Sequence, residues 1–244
     1  MQKRGLIIII YVLVLVIGFY AGSYYNYNKQ GQQELDKIQS SFESKGWQLY
    51  SAGDYDGAIQ EFQSYIKRNK NNFVAYQGLG WGYYKKQDYE NSIENFNKAK
   101  EINPSFYDAY SGLGWSYYAL NDYEKAANNF NKASELRQDI LVIYNGLGRS
   151  YYKLRKSEEA KNVFNKALAI NPNLVFPYVG LFLISYENGN NVEAGLHLDK
   201  IIPFRYDLGL QADESYKAFG DCMAKLNLQD EELQRLAHQC GELL

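Results

Sequence analysis

The heptapeptide GLGWGYY at residues 78–84 recurs as GLGWSYY at 112–118 and as GLGRSYY at 146–152, and successive copies start thirty-four residues apart. A dinucleotide-binding loop needs the pattern G-x-G-x-x-G, in one copy, between a strand and a helix. Here the third glycine of that pattern is missing, no strand-like run precedes Gly78, and the segment recurs. The recurrence therefore indicates a repeat architecture, and no phosphate is needed to explain the glycines.

The same period extends over five blocks, which we number internally as places 1 to 34. Residue types recur at fixed places: leucine at place 7, glycine at place 8, tyrosine at place 11, alanine at place 20 and phenylalanine at place 24. No insertion interrupts the register. The blocks are 39–72, 73–106, 107–140, 141–174 and 175–208.

Two helices are predicted for each block. At about 100° per residue, places 4, 7, 8 and 11 share one helical face, and places 20, 24 and 27 share another. Turn-forming pairs separate the two sets at Gln87-Asp88, Asn121-Asp122 and Gly189-Asn190. Glycine at place 8 and alanine at place 20 lack bulk, so the two helices can approach closely with the phenylalanine of place 24 beside them.

These places carry a resemblance to the tetratricopeptide-repeat family, whose signature W-x2-L-G-x2-Y…A-x3-F…P has the same period. The resemblance implies an all-α fold, a right-handed α-solenoid of about five helix hairpins whose first helices line a concave groove. Two amphipathic segments within 209–244 are predicted to form a capping helix pair. Block five has Pro177 at place 3 and Phe182 at place 8, so we expect its helices to pack at a different angle.

The first 22 residues differ in composition from the rest. Lys3 and Arg4 precede an uncharged apolar run that ends near Gly22. Its length falls between the roughly 20 residues of a membrane span and the about 7 to 15 of a signal-peptide core, so an uncleaved anchor and a cleaved signal both remain open. The basic pair favours a cytoplasmic N-terminus. We expect a single-pass membrane protein with a polar tether at 23–38 and an extracytoplasmic repeat domain, periplasmic in a Gram-negative cell.

Residue types needed for catalysis or metal binding are few and scattered. The histidines are His197 and His238, and no Cys, His or carboxylate cluster has metal-ligand spacing. A disulfide between Cys222 and Cys240 stays open, although the predicted hairpin staggers them by about 9 Å and disulfides usually span under about 7 Å. The net charge of -2 gives no argument for a nucleic-acid partner. We expect no enzyme activity and no cofactor.

Aromatic residues dominate the places that the family uses to line its groove, which are 2, 5, 9, 12 and 13 of the first helix. All 3 tryptophans fall at place 9, roughly opposite core places 4, 8 and 11. The tyrosines of place 12 either join them in the groove or pack on neighbouring repeats. Block four makes one groove end basic, and the family's clamp for a C-terminal carboxylate is absent. The predicted groove residues are Trp47, Trp81, Trp115, Arg149, Tyr84, Tyr118, Tyr152 and Lys153.

Rigid aromatic anchors dominate the hot spots of protein interfaces. The leading hypothesis is therefore a membrane-tethered scaffold of the cell envelope that holds a peptide or helix of another protein by aromatic contact, with an acidic ligand residue near Arg149. The alternative is a carbohydrate-binding module in which the same rings stack on cell-wall glycans.

Overall fold

The structure is a computed structural model that describes residues 45–201. In this range every regular element is an α-helix, and consecutive helices pack as hairpins, one hairpin per block. The predicted anchor, tether, capping pair and cysteines lie outside the described residues. The helices are α1 (Lys45–Ser51), α2 (Tyr55–Arg68), α3 (Phe73–Lys85), α4 (Tyr89–Ile102), α5 (Tyr107–Ala119), α6 (Tyr123–Leu136), α7 (Leu141–Lys153), α8 (Ser157–Ile170), α9 (Val175–Glu187) and α10 (Asn191–Ile201).

Every hairpin turns at place 15 on a residue in the left-handed backbone region. The two glycines among these residues adopt that region at little cost, and the neighbouring backbone closes the first helix with a bond such as Asp88 N–H to the Tyr83 carbonyl, 3.0 Å. The predicted turns at Gln87, Asn121 and Gly189 are confirmed. The residues at place 15 are Gly53 (φ 82°), Gln87 (61°), Asn121 (61°), Arg155 (59°) and Gly189 (74°).

Side chains at place 16 cap the second helices of blocks one, two, three and five, whereas Lys156 in block four makes no such bond. Asp54 accepts from the backbone N–H of Gly57 at 2.9 Å, and Asp122 accepts from that of Lys125 at 3.1 Å. Such caps satisfy N–H groups that the first turn leaves unpaired, and each contributes about 1 kcal/mol. The left-handed residue and the aspartate after it therefore define the hairpin turn locally.

The phenylalanine at place 24 packs between its own repeat and the next one in the first four repeats. Phe96 is 0% exposed. One side of its ring faces Gly80, at place 8 of the same repeat, and the other faces Gly112, at place 6 of the following repeat; a Cβ on either glycine would lie closer than 3.0 Å to the ring. The same arrangement surrounds Phe62, Phe130 and Phe164. Both glycines of the recurring GLG thus make room for a ring, each from a different repeat.

Block two has serine where blocks one, three, four and five have alanine at place 20. Ser92 is 0% exposed, and its Oγ lies 2.9 Å from the Gly80 carbonyl oxygen and 2.8 Å from Ser116 Oγ. Ser116 Oγ in turn donates to the Gly112 carbonyl at 2.8 Å. The buried hydroxyls therefore have polar neighbours on the first helices of two repeats, which removes the desolvation cost of the substitution.

Block five keeps the register of the earlier blocks, since α9 and α10 begin at places 1 and 17 like their counterparts. Pro177 lies in the first turn of α9, where backbone N–H groups have no partner within the helix, so it does not interrupt the helix. The phenylalanine moves from place 24 to place 8 in this block: Phe182 occupies place 8 at 0% exposure, and place 24 is Leu198. The core volume is thus filled from the opposite helix.

Candidate binding face on the first helices

The first helices of successive repeats contact one another from α1 through α3, α5 and α7 to α9. Their places 2, 5, 9, 12 and 13 form a surface that we call the A-helix face. Side chains at these places come from neighbouring helices and are thirty-four residues apart in the chain. The hairpin fold alone therefore brings the predicted groove residues to one surface.

A chain of contacting rings recurs within each of the first three repeats, in the same geometry each time. The tryptophan of place 9 packs edge-on against the phenylalanine of place 24, with centroids 5.2 Å apart for Trp47–Phe62, 5.1 Å for Trp81–Phe96 and 5.1 Å for Trp115–Phe130. The tyrosine of place 12 contacts that tryptophan at 5.5 to 6.0 Å. The tyrosine of place 17 contacts the place-12 ring in turn. Such edge contacts are worth about 0.5–1.5 kcal/mol each.

The prediction that the tryptophans lie opposite the core is wrong for Trp115. Its side chain is 8% exposed and belongs to a core cluster with Phe130 and Leu147. Trp47 and Trp81 are half-buried. An indole is long enough to reach the phenylalanine of place 24 from a helix position that its angle alone would put on the far side. The place-12 tyrosines Tyr84 and Tyr118 are half-buried as well.

Arg149 takes the place of tryptophan in the fourth repeat and continues the chain of rings. Its guanidinium carbon lies 4.9 Å from the centroid of Tyr118 and 5.8 Å from that of Trp115, so the cation covers the rings of the preceding repeat. The side chain is 8% exposed. A pocket opens beside it, lined by Tyr118, Arg149, Tyr152, Lys153, Phe164, Phe176, Gly180 and Leu183.

This pocket combines four of the predicted groove residues with block-five residues that the sequence reasoning did not include. Phe176 and Leu183 stand at places 2 and 9 of block five, and with Phe164 they make the lining largely apolar. Tyr152 Oη donates to Glu187 Oε1 at 2.5 Å, and Arg155 lies 3.1 Å from the same carboxylate. The pocket therefore has an apolar floor with charged groups of both signs around it.

Asp108 is a feature of the A-helix face that the sequence reasoning missed. It stands at place 2 of the third repeat, and its Oδ2 accepts hydrogen bonds from Trp81 Nε1 at 3.0 Å and from Gln77 Nε2. Burial raises the pKa of the Asp108 carboxyl, and the two hydrogen bonds act in the opposite direction. The only signal in the sequence is that place 2 is apolar in the other described repeats, at Val74, Val142 and Phe176.

Tyr50 lies close to this carboxylate. The pKa of Tyr50 is raised to about 12, first by burial and then, in decreasing order of effect, by the neighbouring Tyr55, Asp108 and Tyr84. The charge on Asp108 is therefore within electrostatic reach of the Tyr50 hydroxyl.

No group of three or more His, Cys, Asp and Glu side chains among residues 45–201 is placed to hold a metal ion. His197 is half-buried on α10 with its Nε2 3.7 Å from Glu193 Oε1, and burial lowers its pKa. In the same range, no helix is both long enough and apolar enough to span a bilayer.

Sequence comparison identifies repeats of one kind in the middle of the chain. A model described as TPR repeat matches residues 82–120, and one described as Tetratricopeptide repeat matches 107–140 and 142–174. No curated protein matches the sequence significantly.

Solved structures share the fold at low sequence identity. A crystal structure of MamA is 22% identical with a TM-score of 0.62, covering 69% of this chain and 98% of that chain. MamA residues 41-end from Desulfovibrio magneticus RS-1 are 15% identical with a TM-score of 0.62, covering 70% and 96%. TTC0263, a thermophilic TPR protein in Thermus thermophilus, is 20% identical with a TM-score of 0.56, covering 85% and 100%. The predicted repeat type is confirmed for the residues that these models match, within 82–174, and the helices of residues 45–201 share the fold of the solved structures.

Proposed function

We propose that this protein is a non-catalytic interaction scaffold that holds a peptide or helix of another protein along its A-helix face. The observation that supports this most is the same edge-on ring contact in each of the first three repeats, with the Arg149 guanidinium covering the tryptophan of the third repeat from the fourth. Aromatic and arginine side chains on a rigid support are the residues that dominate binding hot spots. A rigid face also loses little conformational entropy when a ligand binds.

The pocket between the fourth and fifth repeats provides one anchoring point. Its floor of Phe164, Phe176 and Leu183 suits an apolar ligand side chain. Arg149 and Lys153 at its edge favour an acidic residue beside that side chain, because a charge-assisted hydrogen bond is stronger than a neutral one. We therefore expect the ligand to carry an apolar residue next to an acidic one at this point.

Attachment to a membrane is part of the same proposal. Residues 1–22 would anchor the chain or direct its export, and residues 23–38 would hold the repeats at a distance from the bilayer. The scaffold would then act outside the cytoplasm and bind an envelope protein. The support for this is the basic pair Lys3 and Arg4 before a long apolar run.

A peptide is favoured over a glycan by the way the rings are packed. Stacking on a sugar needs an open ring face, whereas each tryptophan here contacts its neighbours edge to face and Trp115 is 8% exposed.

Site-specific photo-crosslinking in intact cells tests the proposal. A benzoylphenylalanine replaces Tyr84 or Tyr118 on the A-helix face, and as a matched control it replaces Lys98 or Lys132, which are exposed on α4 and α6. We expect a discrete protein adduct from the first pair and none from the second. Equal labelling from both pairs, or labelling from neither, would refute a protein-binding A-helix face. An adduct whose added mass is removed by muramidase would establish the glycan alternative.

The membrane part of the proposal is tested separately. Cell membranes containing the full-length protein are washed with alkaline carbonate, and intact cells are treated with protease. An anchored chain stays in the pellet, and its repeats are digested only from the extracytoplasmic side. Soluble protein that begins after residue 22 would instead establish a cleaved signal.

A further inference from the structure

A second anchoring point lies at Asp108, and it has the opposite charge to the Arg149 end. The carboxylate bridges two first helices, since its donors Gln77 and Trp81 belong to α3 and Asp108 itself to α5. These donors stand at places 5 and 9, so the carboxylate lies on the A-helix face. Both hydrogen bonds reach Oδ2, and within residues 45–201 the Oδ1 atom accepts none.

The packing of the repeats does not require an acid at this position. Place 2 holds Val74, Val142 and Phe176 in the other described repeats, and these range from buried to 50% exposed. A hydrogen-bonded bridge between the helices could be made by a neutral asparagine. The negative charge at Asp108 is therefore an addition to the repeat pattern and raises the question of what it binds.

No positive charge compensates Asp108 within the described range. Its two hydrogen-bond donors are neutral, and none of the ion pairs among residues 45–201 includes it. Burial disfavours its charged form. Asp108 is half-buried. A partly buried carboxylate without a counter-ion raises the free energy of the native protein, and a bound cation reduces that cost.

The rings around the carboxylate add to the attraction for a cation. Trp81 donates a hydrogen bond to the carboxylate directly, and its ring contacts that of Tyr84 at 5.6 Å. The charge of Asp108 also contributes to the raised pKa of Tyr50. Aromatic faces attract ammonium and guanidinium groups through the ring quadrupole. A carboxylate flanked by rings accommodates a long cationic side chain, whose methylene stem packs on the rings while its head pairs with the acid.

We propose that Asp108, with Tyr50 and Tyr84, binds a lysine or arginine side chain of the partner peptide. The inference rests on the proposed function and specifies its ligand: a peptide that carries a basic residue at the second and third repeats. The same peptide places an apolar residue and an acidic residue at the Arg149 pocket. Opposite charges at the two points give the bound peptide one direction along the face.

The probe is a phage-displayed library of linear dodecapeptides, selected on the full-length protein in detergent. Selections run in parallel on the parent, on Asp108→Asn, which keeps the acceptor for Trp81 and Gln77, and on Glu101→Gln. Glu101 lies on α4 with an exposed side chain, so its variant loses the same charge away from the face. We expect lysine or arginine to be enriched at one position of the peptides recovered by the parent and by Glu101→Gln, and not by Asp108→Asn.

A recovered peptide is then synthesised with its basic residue and with glutamine in that position. Loss of a charged hydrogen bond should weaken binding about tenfold or more. The effect of the glutamine should vanish on Asp108→Asn, because the two changes remove the same contact. Thermal melting by circular dichroism checks that Asp108→Asn is folded, and we expect it to melt no lower than the parent.

The outcomes separate this inference from the function on which it rests. Peptides selected by the parent without any basic preference, or basic peptides that bind Asp108→Asn equally well, would overturn the Asp108 site and leave the binding face in place. Recovery of no peptide by the parent would overturn both.

Discussion

The packing of Phe96 between Gly80 and Gly112 gives a quantitative prediction for Gly112→Ala. In an ordinary helix interior this change is favourable by about 1 kcal/mol, since alanine has a higher helix propensity than glycine. Here the new Cβ would lie closer than 3.0 Å to three atoms of the Phe96 ring, whereas carbon atoms pack best at about 3.5–4.0 Å.

The ring has little room to move, because it also packs closely on Gly80, where a Cβ would lie 2.8 Å from it. Phe96 is also 0% exposed, so no solvent-filled space can receive it. Overpacking of this kind costs about 1–3 kcal/mol and sometimes more. Taking the upper end because the ring is enclosed, and subtracting the propensity gain, we expect Gly112→Ala to lower the free energy of unfolding by about 2 kcal/mol.

The assay is urea unfolding of the full-length protein in detergent, followed by circular dichroism, for the four members of a double-mutant cycle. Phe96→Leu removes the ring atoms that the Cβ would meet, so Gly112→Ala should become neutral or stabilising in that background. The expected coupling is about 3 kcal/mol, which is the relieved clash alone, because the propensity gain is present in both backgrounds. Strictly additive effects, or a Gly112→Ala protein more stable than the parent, would refute the close packing of Phe96 on Gly112.

Three further predictions follow from burial and charge. Ala126 is 0% exposed, so Ala126→Leu should cost about 1–3 kcal/mol by overpacking; a melting temperature equal to the parent's would contradict the repeat register. Trp115→Ala should cost about 3–5 kcal/mol in urea unfolding, as for a core aromatic, and a loss below about 1 kcal/mol would put the indole outside the core. The pKa of the Asp108 carboxyl is raised above 3.8 in the folded state. Between the two pKa values the native protein therefore retains a proton that the unfolded chain releases. The contribution of Asp108 to stability thus falls as pH rises from below 3.8 through the folded-state pKa. Asp108→Asn should therefore gain stability relative to the parent as pH rises through that range. A difference in unfolding free energy that stays constant from about pH 3 to about pH 7 would argue against the partly buried charge.

Features that depend on neighbours in the chain could be predicted from the sequence. The alternation of helices followed from periodicity, and the turns at Gln87 and Asn121 followed from residue type. The equivalent turn at Arg155 was not marked, since neither arginine nor the lysine after it favours a turn. Its left-handed conformation, φ 59°, is imposed by the hairpin packing of α7 and α8.

Contacts between repeats were harder to predict. The glycine of place 6 has no evident role within its own hairpin, because the ring it accommodates belongs to the preceding repeat. Asp108 meets Gln77 and Trp81, which are 31 and 27 residues earlier in the chain. Helical periodicity gives the face of one helix and says nothing about which side chains meet across two. Trp115 was misplaced for a similar reason, since its ring reaches a residue on another helix.

The sharing of each phenylalanine between two repeats has a consequence for cooperativity. In a one-dimensional array, the strength of coupling between adjacent units decides how many of them open together. Phe62, Phe96, Phe130 and Phe164 each belong at once to the interior of one unit and to its junction with the next, so opening one hairpin exposes a ring that its neighbour also needs. The fifth repeat has Leu198 where this ring would stand, and the series of shared rings ends at Phe164. Amide hydrogen exchange should therefore show α2 to α9 opening as one unit, with α10 exchanging at a lower free energy of opening.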